Sequence, residues 1–353
     1  MHSFTYTGLP ARVIFGFGTR ARLAEEARAM GLSRLLVLST PQQKDVAAAT
    51  AGSLGGLCAG VFDGAVMHTP VEVTEAAMQR VAQLRADGVV AVGGGSTTGL
   101  GKAIALRTDL PQIVLPTTYA GSEMTPILGQ TEGGRKTTQR TAKVLPETVI
   151  YDVELTMGLP AGLSGTSGIN AIAHAVEALY AQEANPVIAL MAEEGIAALG
   201  RSLPAIAADP GDREARSDAL YGAWLCGMCL GSVGMALHHK LCHVLGGSFD
   251  LPHAETHTIV LPHAVAYNAP AAPEAMARAG RALGGGDAAS ALFALAGKVG
   301  APRALRDIGM PQDGIERAAD LAVANPYFNP RPVERAAIRD LIARAWEGAP
   351  PAA

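Results

Sequence analysis

Charged side chains are scarce in this sequence of 353 residues: they make up 17% of it, against 49% hydrophobic residues. Disordered chains show the opposite balance, so we expect a globular chain, and its length favours two domains over one. The net charge is −4, and no long run of lysine and arginine occurs. Nucleic acid is therefore not expected as a partner, and an anionic substrate has to be held by local positive charges.

Cysteine is also scarce, with four residues in the whole chain. Cys226 and Cys229 form a C-x-x-C motif inside the uncharged stretch AWLCGMCLGSVGM. A zinc ribbon needs a second pair of cysteines and a thioredoxin-like site needs a different context, so we interpret both as buried helical thiols. Nothing indicates a disulfide framework, and a reducing, cytoplasmic compartment is expected.

Targeting and membrane signals are weak. The N-terminal stretch MHSFTYTGLPARVIFGFG has no basic region followed by an apolar core, which a signal peptide requires. Residues 219–237 carry no charge and are long enough to span a bilayer. Because this segment stands alone and contains four glycines, we interpret it as a fully buried helix of a globular domain and expect no membrane partner.

The hydrophobic pattern changes character near residue 157. Before it, short apolar runs alternate with helical patterns, which predicts an α/β domain over residues 1–157 with a mostly parallel, Rossmann-like sheet. The predicted strands are residues 34–40, 88–95, 111–118 and 148–152, with helices over residues 71–87 and 97–108. Beyond it, Ala- and Leu-rich segments predict an all-helical domain over residues 158–353, with helices over residues 165–183, 187–207, 214–245, 272–284, 288–299, 313–324 and 332–346.

Three glycines, Gly93, Gly94 and Gly95, follow a predicted strand and precede a predicted helix. Glycine lets the backbone approach an anion closely, and a helix N-terminus offers unpaired N–H groups, so the turn suits a pyrophosphate. The next three residues carry hydroxyls that can cap the helix or bond phosphate oxygens: Ser96, Thr97 and Thr98. The usual dinucleotide fingerprint G-x-G-x-x-G is absent, and an ordinary tight turn is the alternative.

A second loop, LPTTYAGSEMTP, follows the next predicted strand. Its hydroxyl donors Thr117, Thr118 and Ser122 come at the carboxyl end of that strand, where ligands bind in open α/β sheets. Hydroxyl-rich loops are also common caps, so this signal supports the glycine turn rather than standing alone.

Seven of the nine histidines lie between residues 174 and 263. Asn170 and His174 are four residues apart and share one helix face, and so do His239 and His243 on a helix that we expect to end at Gly246. With His253 in a following loop, such histidines can converge to bind a divalent metal, to donate a proton, or both.

Three further histidines are expected to lie outside that group. His238 flanks His239 and should point elsewhere on the helix, and His257 and His263 are expected to be bystanders. The segment H-A-E-T-H is not the zinc motif H-E-x-x-H, because Glu255 lies two residues after His253.

Together, GGGS, PTT-x-x-G-S-E, G-x-N-A-x-x-H-A-x-E and H-x-x-x-H-x-L-G…PH resemble the iron-containing alcohol dehydrogenases in order and spacing. The resemblance implies an N-terminal dinucleotide-binding α/β domain, a helical C-terminal domain, an active site in the cleft between them, and commonly a dimer. The positions that usually hold the metal in this family, an aspartate and three histidines, correspond to Asn170, His174, His239 and His253. A nearby fourth histidine corresponds to His243.

Two departures from the family pattern resemble its maleylacetate reductase branch. Asn170 replaces the aspartate, which weakens a site for a hard ferrous ion, and PHAETH replaces PHG. The resemblance implies NAD(P)H-dependent reduction of the carbon–carbon double bond of 2-maleylacetate to 3-oxoadipate in aromatic degradation, with no required metal. His239, His253 and His174 would then donate hydrogen bonds to the developing enolate oxygen, and His243 would donate the proton.

Cofactor choice and substrate binding are predicted from few positions. The second strand ends Leu38-Ser39-Thr40 without the acid that favours NAD, so both NADH and NADPH are expected to be accepted. The candidates to hold the two substrate carboxylates are Lys136, Arg140 and Lys240.

Three other functions stay open at this point. A metal-dependent alcohol dehydrogenase of the same family would lose activity on chelation. A lyase related to dehydroquinate synthase, which shares the architecture, would show no net consumption of NADH. A non-catalytic nucleotide-binding protein would leave the histidine group unexplained.

Overall fold

A computed structural model describes residues 4–9 and 11–352 of the chain. The chain folds as two compact units. An α/β unit spans Gly8–Leu159, and a helical unit begins at Pro160, runs to the C-terminal end and includes the N-terminal segment up to Thr7.

The α/β unit is built on a six-stranded parallel sheet in the order β1-β8-β5-β4-β2-β3, beside a separate antiparallel hairpin of β6 and β7. The strands are β1 (Arg12–Gly16), β2 (Leu35–Leu38), β3 (Cys58–Phe62), β4 (Gly88–Gly93), β5 (Gln112–Pro116), β6 (Ile127–Glu132), β7 (Arg135–Arg140) and β8 (Thr148–Asp152). Its helices are α1 (Leu23–Ala29), α2 (Lys44–Leu54), α3 (Val71–Leu84) and α4 (Gly95–Thr108).

Helices cover both faces of this sheet, and the strand sequences show why. Along β2, Leu35 and Val37 pack on one side with α1 and α2, while Leu36 and Leu38 pack on the other with α3 and α4. A strand that is buried on both faces has a continuous run of apolar residues, and this is the pattern from which β2 was predicted. The predicted fold class, a parallel α/β domain followed by an all-helical domain, is confirmed.

The helical unit contains nine helices in its described residues. They are α5 (Ala161–Leu179), α6 (Pro186–Ala208), α7 (Arg213–Ser232), α8 (Leu237–Phe249), α9 (His253–Asn268), α10 (Pro273–Ala282), α11 (Ala288–Lys298), α12 (Gly314–Val323) and α13 (Arg335–Glu347).

The sequence analysis predicted one buried helix over the uncharged segment 219–237. This prediction was wrong, because the helix breaks after Ser232. α7 ends there, and α8 starts at Leu237 with a bend of 94° between the two. Among the described residues no single helix is long and apolar enough to cross a membrane, although α7 and α8 together pass that test of length and composition.

Two helix predictions near the histidines were also wrong. α8 runs past Gly246 and ends at Phe249, where Asp250 takes a left-handed conformation with φ 53°. His253 does not lie in a loop but begins α9, whose residues from Thr256 to Asn268 are all buried. A helix buried all round has no amphipathic period, and α9 also contains Pro262, so its sequence carried no helical signal.

Candidate active site

The glycine turn joins β4 to α4 at the carboxyl edge of the sheet, and two of its glycines have no room for a side chain. Gly93 has φ +156°, and a Cβ there would collide with the Thr97 hydroxyl and lie 2.8 Å from Gln43 Oε1. A Cβ on Gly94 would lie 2.8 Å from Thr118 Oγ1. Gly94 is the N-cap of α4 and provides no side-chain acceptor, so the first-turn N–H groups are available to an anion.

The position of this turn in the sheet favours a ligand. The chain leaves β2 for β3 on one side and returns to β4 on the other, so the strand order reverses between β2 and β4. Ligands of open α/β sheets bind at the carboxyl ends of the strands at such a reversal. Here Gly93 O accepts the N–H of Thr117 at 3.1 Å, which links the glycine turn to the threonine loop.

The hydroxyl side chains that were predicted to contact a cofactor differ in how deeply they are buried. Ser96 and Thr118 are half-buried, whereas Thr97, Thr98 and Thr117 are buried. Thr98 Oγ1 donates to the carbonyl of Gly94 at 3.2 Å, so this hydroxyl supports the turn. The contact of any of them with a cofactor stays a prediction.

Two residues of the α/β unit that the sequence did not single out hold the threonine loop. Gln43 Nε2 donates to Thr117 Oγ1 at 2.8 Å. Lys102 is fully buried on α4, and its Nζ lies within hydrogen-bond distance of four acceptors: Thr125 Oγ1 and the carbonyl oxygens of Ser122, Thr125 and Ile127. Burial lowers the pKa of Lys102 to about 7, and the carboxylate of Glu123 opposes that shift.

The helical unit brings the predicted histidines together from three helices: α5, α8 and α9. The ring centroids of His174 and His239 lie 5.1 Å apart, and those of His239 and His243 lie 6.3 Å apart. His253 reaches the same group, since its ring lies 4.3 Å from that of His257. His174 and His239 are buried, whereas His243 and His253 are exposed.

Two histidines expected to lie outside the group belong to it. His238 Nε2 and His257 Nδ1 are hydrogen-bonded at 2.9 Å, and both rings lie about 5 Å from that of His239. The expectation failed because α9 is a helix that turns His257 toward α8, one turn after His253. His263 makes no ring contact with the group among the described residues, and burial lowers its pKa to about 4.

Burial dominates the electrostatics of this histidine group. It lowers the pKa of His174, His238 and His257 well below the ordinary value, and the neighbouring imidazoles lower them further. These three rings are therefore neutral at pH 7, which leaves each with one N–H donor and one acceptor nitrogen.

Glu177 is the main residue of the helical unit that the sequence analysis missed. It is fully buried on α5 and contacts His239 Nδ1 through Oε2 at 2.7 Å. The same carboxylate accepts the backbone N–H of Ala236 at 2.9 Å and that of His238 at 2.8 Å. A signal existed, because Glu177 follows His174 by three residues and so shares its helix face.

The side chains at the positions of the family metal have the wrong chemistry for a hard ion. Asn170 Oδ1, His174 Nδ1 and His239 Nε2 are buried and have no hydrogen-bond partner among the described residues. They can serve a ligand, but an amide oxygen with imidazoles supplies no negative charge, and a ferrous site usually includes a carboxylate. We therefore assign no step of the reaction to a metal.

One other trio, His238, Cys242 and His257, places ligand atoms within 4.8 Å of one another. Its two histidine nitrogens already satisfy each other through their 2.9 Å hydrogen bond.

The predicted carboxylate binders fall in both units. Lys240 is half-buried on α8, with Nζ 5.6 Å from the ring centroid of Tyr327 and no ion pair among the described residues. Arg140 ends β7 and is exposed. The backbone of Lys136 lies in β7, and its side chain lies outside the described part of the structure.

Comparison with known proteins places these features in one family. "Iron-containing alcohol dehydrogenase" matches residues 10–153, and "Fe-containing alcohol dehydrogenase family, C-terminal" matches residues 164–346. The chain belongs to the iron-containing alcohol dehydrogenase family.

Its relatives include proteins of one named activity. The chain is 59% identical over 351 residues to the maleylacetate reductase of Rhizobium sp. (strain MTP-10005), covering 99% of this chain and 100% of that one. It is 60% identical over 348 residues to the maleylacetate reductase of Sphingobium indicum, covering 99% of both. The crystal structure of maleylacetate reductase from Agrobacterium tumefaciens superposes with a TM-score of 0.97 at 59% identity, covering 99% of this chain and 100% of that one.

Proposed function

We propose that this protein is an NAD(P)H-dependent reductase that converts 2-maleylacetate to 3-oxoadipate. Identity near 59% to named maleylacetate reductases over the full chain supports this substrate. The structural observation that carries the proposal is the histidine group, in which buried polar atoms of Asn170, His174 and His239 are left for a ligand. Leaving three such atoms unpaired is costly unless a ligand uses them.

The α/β unit binds the dinucleotide. Gly93, Gly94 and the first turn of α4 would hold its pyrophosphate, because they combine free N–H groups with a surface that lacks side chains. When bound, the nicotinamide supplies a hydride to the alkene carbon farther from the substrate ketone. The residues Ser39 and Thr40 that follow β2 leave no carboxylate to repel a 2′-phosphate, so we infer that both NADH and NADPH serve.

The histidines handle the charge and the proton. Hydride addition leaves negative charge on the ketone oxygen, and His174, His239 and His253 donate hydrogen bonds to that enolate. His243, exposed beside His239, then donates a proton to the enolate carbon that lies between the oxygen-bearing carbon and the carbon that received the hydride, which re-forms the ketone and gives 3-oxoadipate. Lys240, half-buried one residue beyond His239, is our candidate to bind a substrate carboxylate, with Arg140 as the second.

The deciding experiment is NADH oxidation by the purified protein with maleylacetate, before and after treatment with a chelator, with metal content measured in parallel. Activity that survives complete metal removal supports the proposed reductase. Activity with simple alcohols that disappears on chelation would identify a metal-dependent alcohol dehydrogenase instead. One observation favours that second candidate: a carboxylate behind a histidine, as Glu177 lies behind His239, commonly supports a metal ligand.

Compartment and assembly remain proposals. The cysteines of the described chain are all free, which agrees with a reducing, cytoplasmic compartment. A homodimer is proposed from the family resemblance, and light scattering during size-exclusion chromatography tests it.

A further inference from the structure

Glu177 touches two parts of the helical unit at once, the start of α8 and the ring of His239. It is fully buried and its carboxylate makes four polar contacts, to Ala236 N, His238 N, His239 Nδ1 and the hydroxyl of Tyr180. No arginine or lysine forms an ion pair with it among the described residues.

The first part of its role is structural. α8 begins at Leu237, directly after the break that follows Ser232, and Ala236 provides no side-chain cap for it. Glu177 supplies the missing acceptor from another helix, at the end of α8 where the helix dipole favours a negative charge. This cap fixes where α8 starts, and therefore fixes the direction in which His239, two residues later, projects.

The second part concerns a single proton. Oε2 already accepts the N–H of Ala236, and at 2.7 Å from His239 Nδ1 it is again placed as an acceptor. An ionised carboxylate only accepts, so Nδ1 must carry a hydrogen. His239 Nε2 is then the atom that faces the buried histidine group, where it has no partner among the described residues.

We propose that Glu177 is a positioning residue for the reduction: it holds His239 with Nδ1 protonated and Nε2 directed at the substrate oxygen. This inference rests on the proposed reductase function. Donation from Nε2 as well as from Nδ1 requires the imidazolium form of the ring, and the carboxylate of Glu177 behind Nδ1 stabilises that positive charge while Nε2–H donates to the enolate, as the buried aspartate does for the histidine of serine proteases. Glu177 touches neither substrate nor cofactor, and it acts through His239.

The informative variant is Glu177→Gln, because it keeps the length of the side chain. Its amide oxygen can still accept the N–H of His238, but its NH₂ group replaces Oε2 and meets Nδ1 as a donor. The ring must then turn away, or give up the hydrogen on Nδ1 and with it the positive charge that the carboxylate stabilised. We expect kcat to fall by about 10²–10⁴, in the range of a wrong histidine tautomer, while KM for NADH stays within about threefold. Glu177→Asp should recover at least about tenfold of the loss, because it restores an acceptor-only group.

Asn185→Ala is the matched control, because Asn185 also accepts two backbone N–H groups, those of Val187 and Ile188, at the start of α6. It should lower the melting temperature as any lost cap does and leave kcat unchanged. If Glu177→Gln behaved like Asn185→Ala, with kcat within about threefold of the parent, the role would be capping alone and the proposal would be wrong.

A measurement on the unaltered protein keeps the test independent of folding and of activity. Nitrogen-15 NMR of histidine-labelled protein reports which ring nitrogen carries hydrogen, and the signal that His239→Asn removes identifies the ring. We expect a protonated Nδ1. A His239 protonated on Nε2 alone would overturn the proposal, even if maleylacetate is reduced. Conversely, absence of turnover with a protonated Nδ1 would sink the proposed function and leave the geometry of Glu177 standing.

Discussion

The two units hold their candidate functional groups in opposite ways. The α/β unit offers main chain: a turn where side chains are excluded at Gly93 and Gly94, next to a threonine loop held by the buried amine of Lys102. The helical unit offers side chains: a packed group of imidazoles, braced by the buried anion of Glu177. Three of the four acceptors of Lys102 belong to the threonine loop and the fourth to the first residue of β6, whereas Glu177 also contacts a ring of the candidate site. Changes in the first unit should therefore alter stability and binding, and changes in the second should alter turnover.

The largest expected effect tests the brace of the α/β unit. Lys102→Met removes the charge, keeps most of the volume, and leaves the carbonyls of Ser122, Thr125 and Ile127 without this donor. We expect the free energy of unfolding to fall by about 3–5 kcal/mol, measured by urea denaturation. The exposed Lys143, whose nearest carboxylate lies 3.6 Å away, is the control, and Lys143→Met should cost at most about 1 kcal/mol. Equal losses in the two variants would contradict the role given to Lys102.

Turnover should respond to the exposed histidines of the helical unit. His243→Ala and His253→Ala should each lower kcat with maleylacetate by about 10²–10³, because each removes a proton or hydrogen-bond donor at the developing charge. His263→Gln, which alters α9 outside the histidine group, should keep kcat near that of the parent. Unchanged turnover in the two alanine variants would show that the chemistry lies elsewhere.

The pH dependence of stability tests the helical unit further. Buried neutral histidines in this unit, such as His263, make the folded chain less stable at low pH. The pKa of His263 is lowered to about 4, so between pH 6.5 and 4 the unfolded chain binds a proton that the folded chain does not. Stability is therefore lost as pH falls through that window, by about 1.4 kcal/mol per pH unit for this residue. Urea denaturation at pH 6.5, 5.5 and 4.5 should show a shallower decline in His263→Gln, and parallel declines would refute the assignment.

The smallest effect concerns Gly95, the one glycine of the turn where the folded protein has room for a side chain. A Cβ on Gly95 would make an ordinary 3.8 Å contact with Ala120, and Gly95 lies in the first turn of α4. Gly95→Ala should leave the melting temperature equal or slightly higher, yet weaken NADH binding about tenfold in a fluorescence titration, since the ligand needs that space. Gly52→Ala on α2, with open space around it, should not change the affinity. Unaltered NADH affinity in Gly95→Ala would place the pyrophosphate away from this turn.

Local patterns predicted the elements with strong signals. The apolar runs of β2, β4, β5 and β8 and the helical periods of α3 and α4 were found with ends differing by a few residues. The glycine turn was located because three consecutive glycines between an apolar run and a helical pattern mark a strand-to-helix turn directly in the sequence. In the helical unit most helices were found, whereas α9 and the break between α7 and α8 were not.

The histidine group was predicted only in part. Spacing by four residues paired Asn170 with His174 and His239 with His243, because those pairs share a helix face. His238 was excluded because it flanks His239 and was expected to point to another side of the helix, and His257 because the structure of α9 was unknown. Glu177 was overlooked because Ala236, His238 and His239, which it contacts, lie 59 to 62 residues further along the chain.

The sequence by itself determined the change from an α/β region to a helical region, the alternation that makes the sheet parallel, the glycine turn and the family. These features depend on residues close together in the sequence, and such residues show a regular spacing of apolar side chains or a recognisable motif. Only the tertiary structure decided that His257 joins the group, that Lys102 braces the threonine loop and that Glu177 orients His239. Those contacts join residues about 20 to 60 positions apart, and packing against other elements, rather than any local preference, brings them within hydrogen-bond distance.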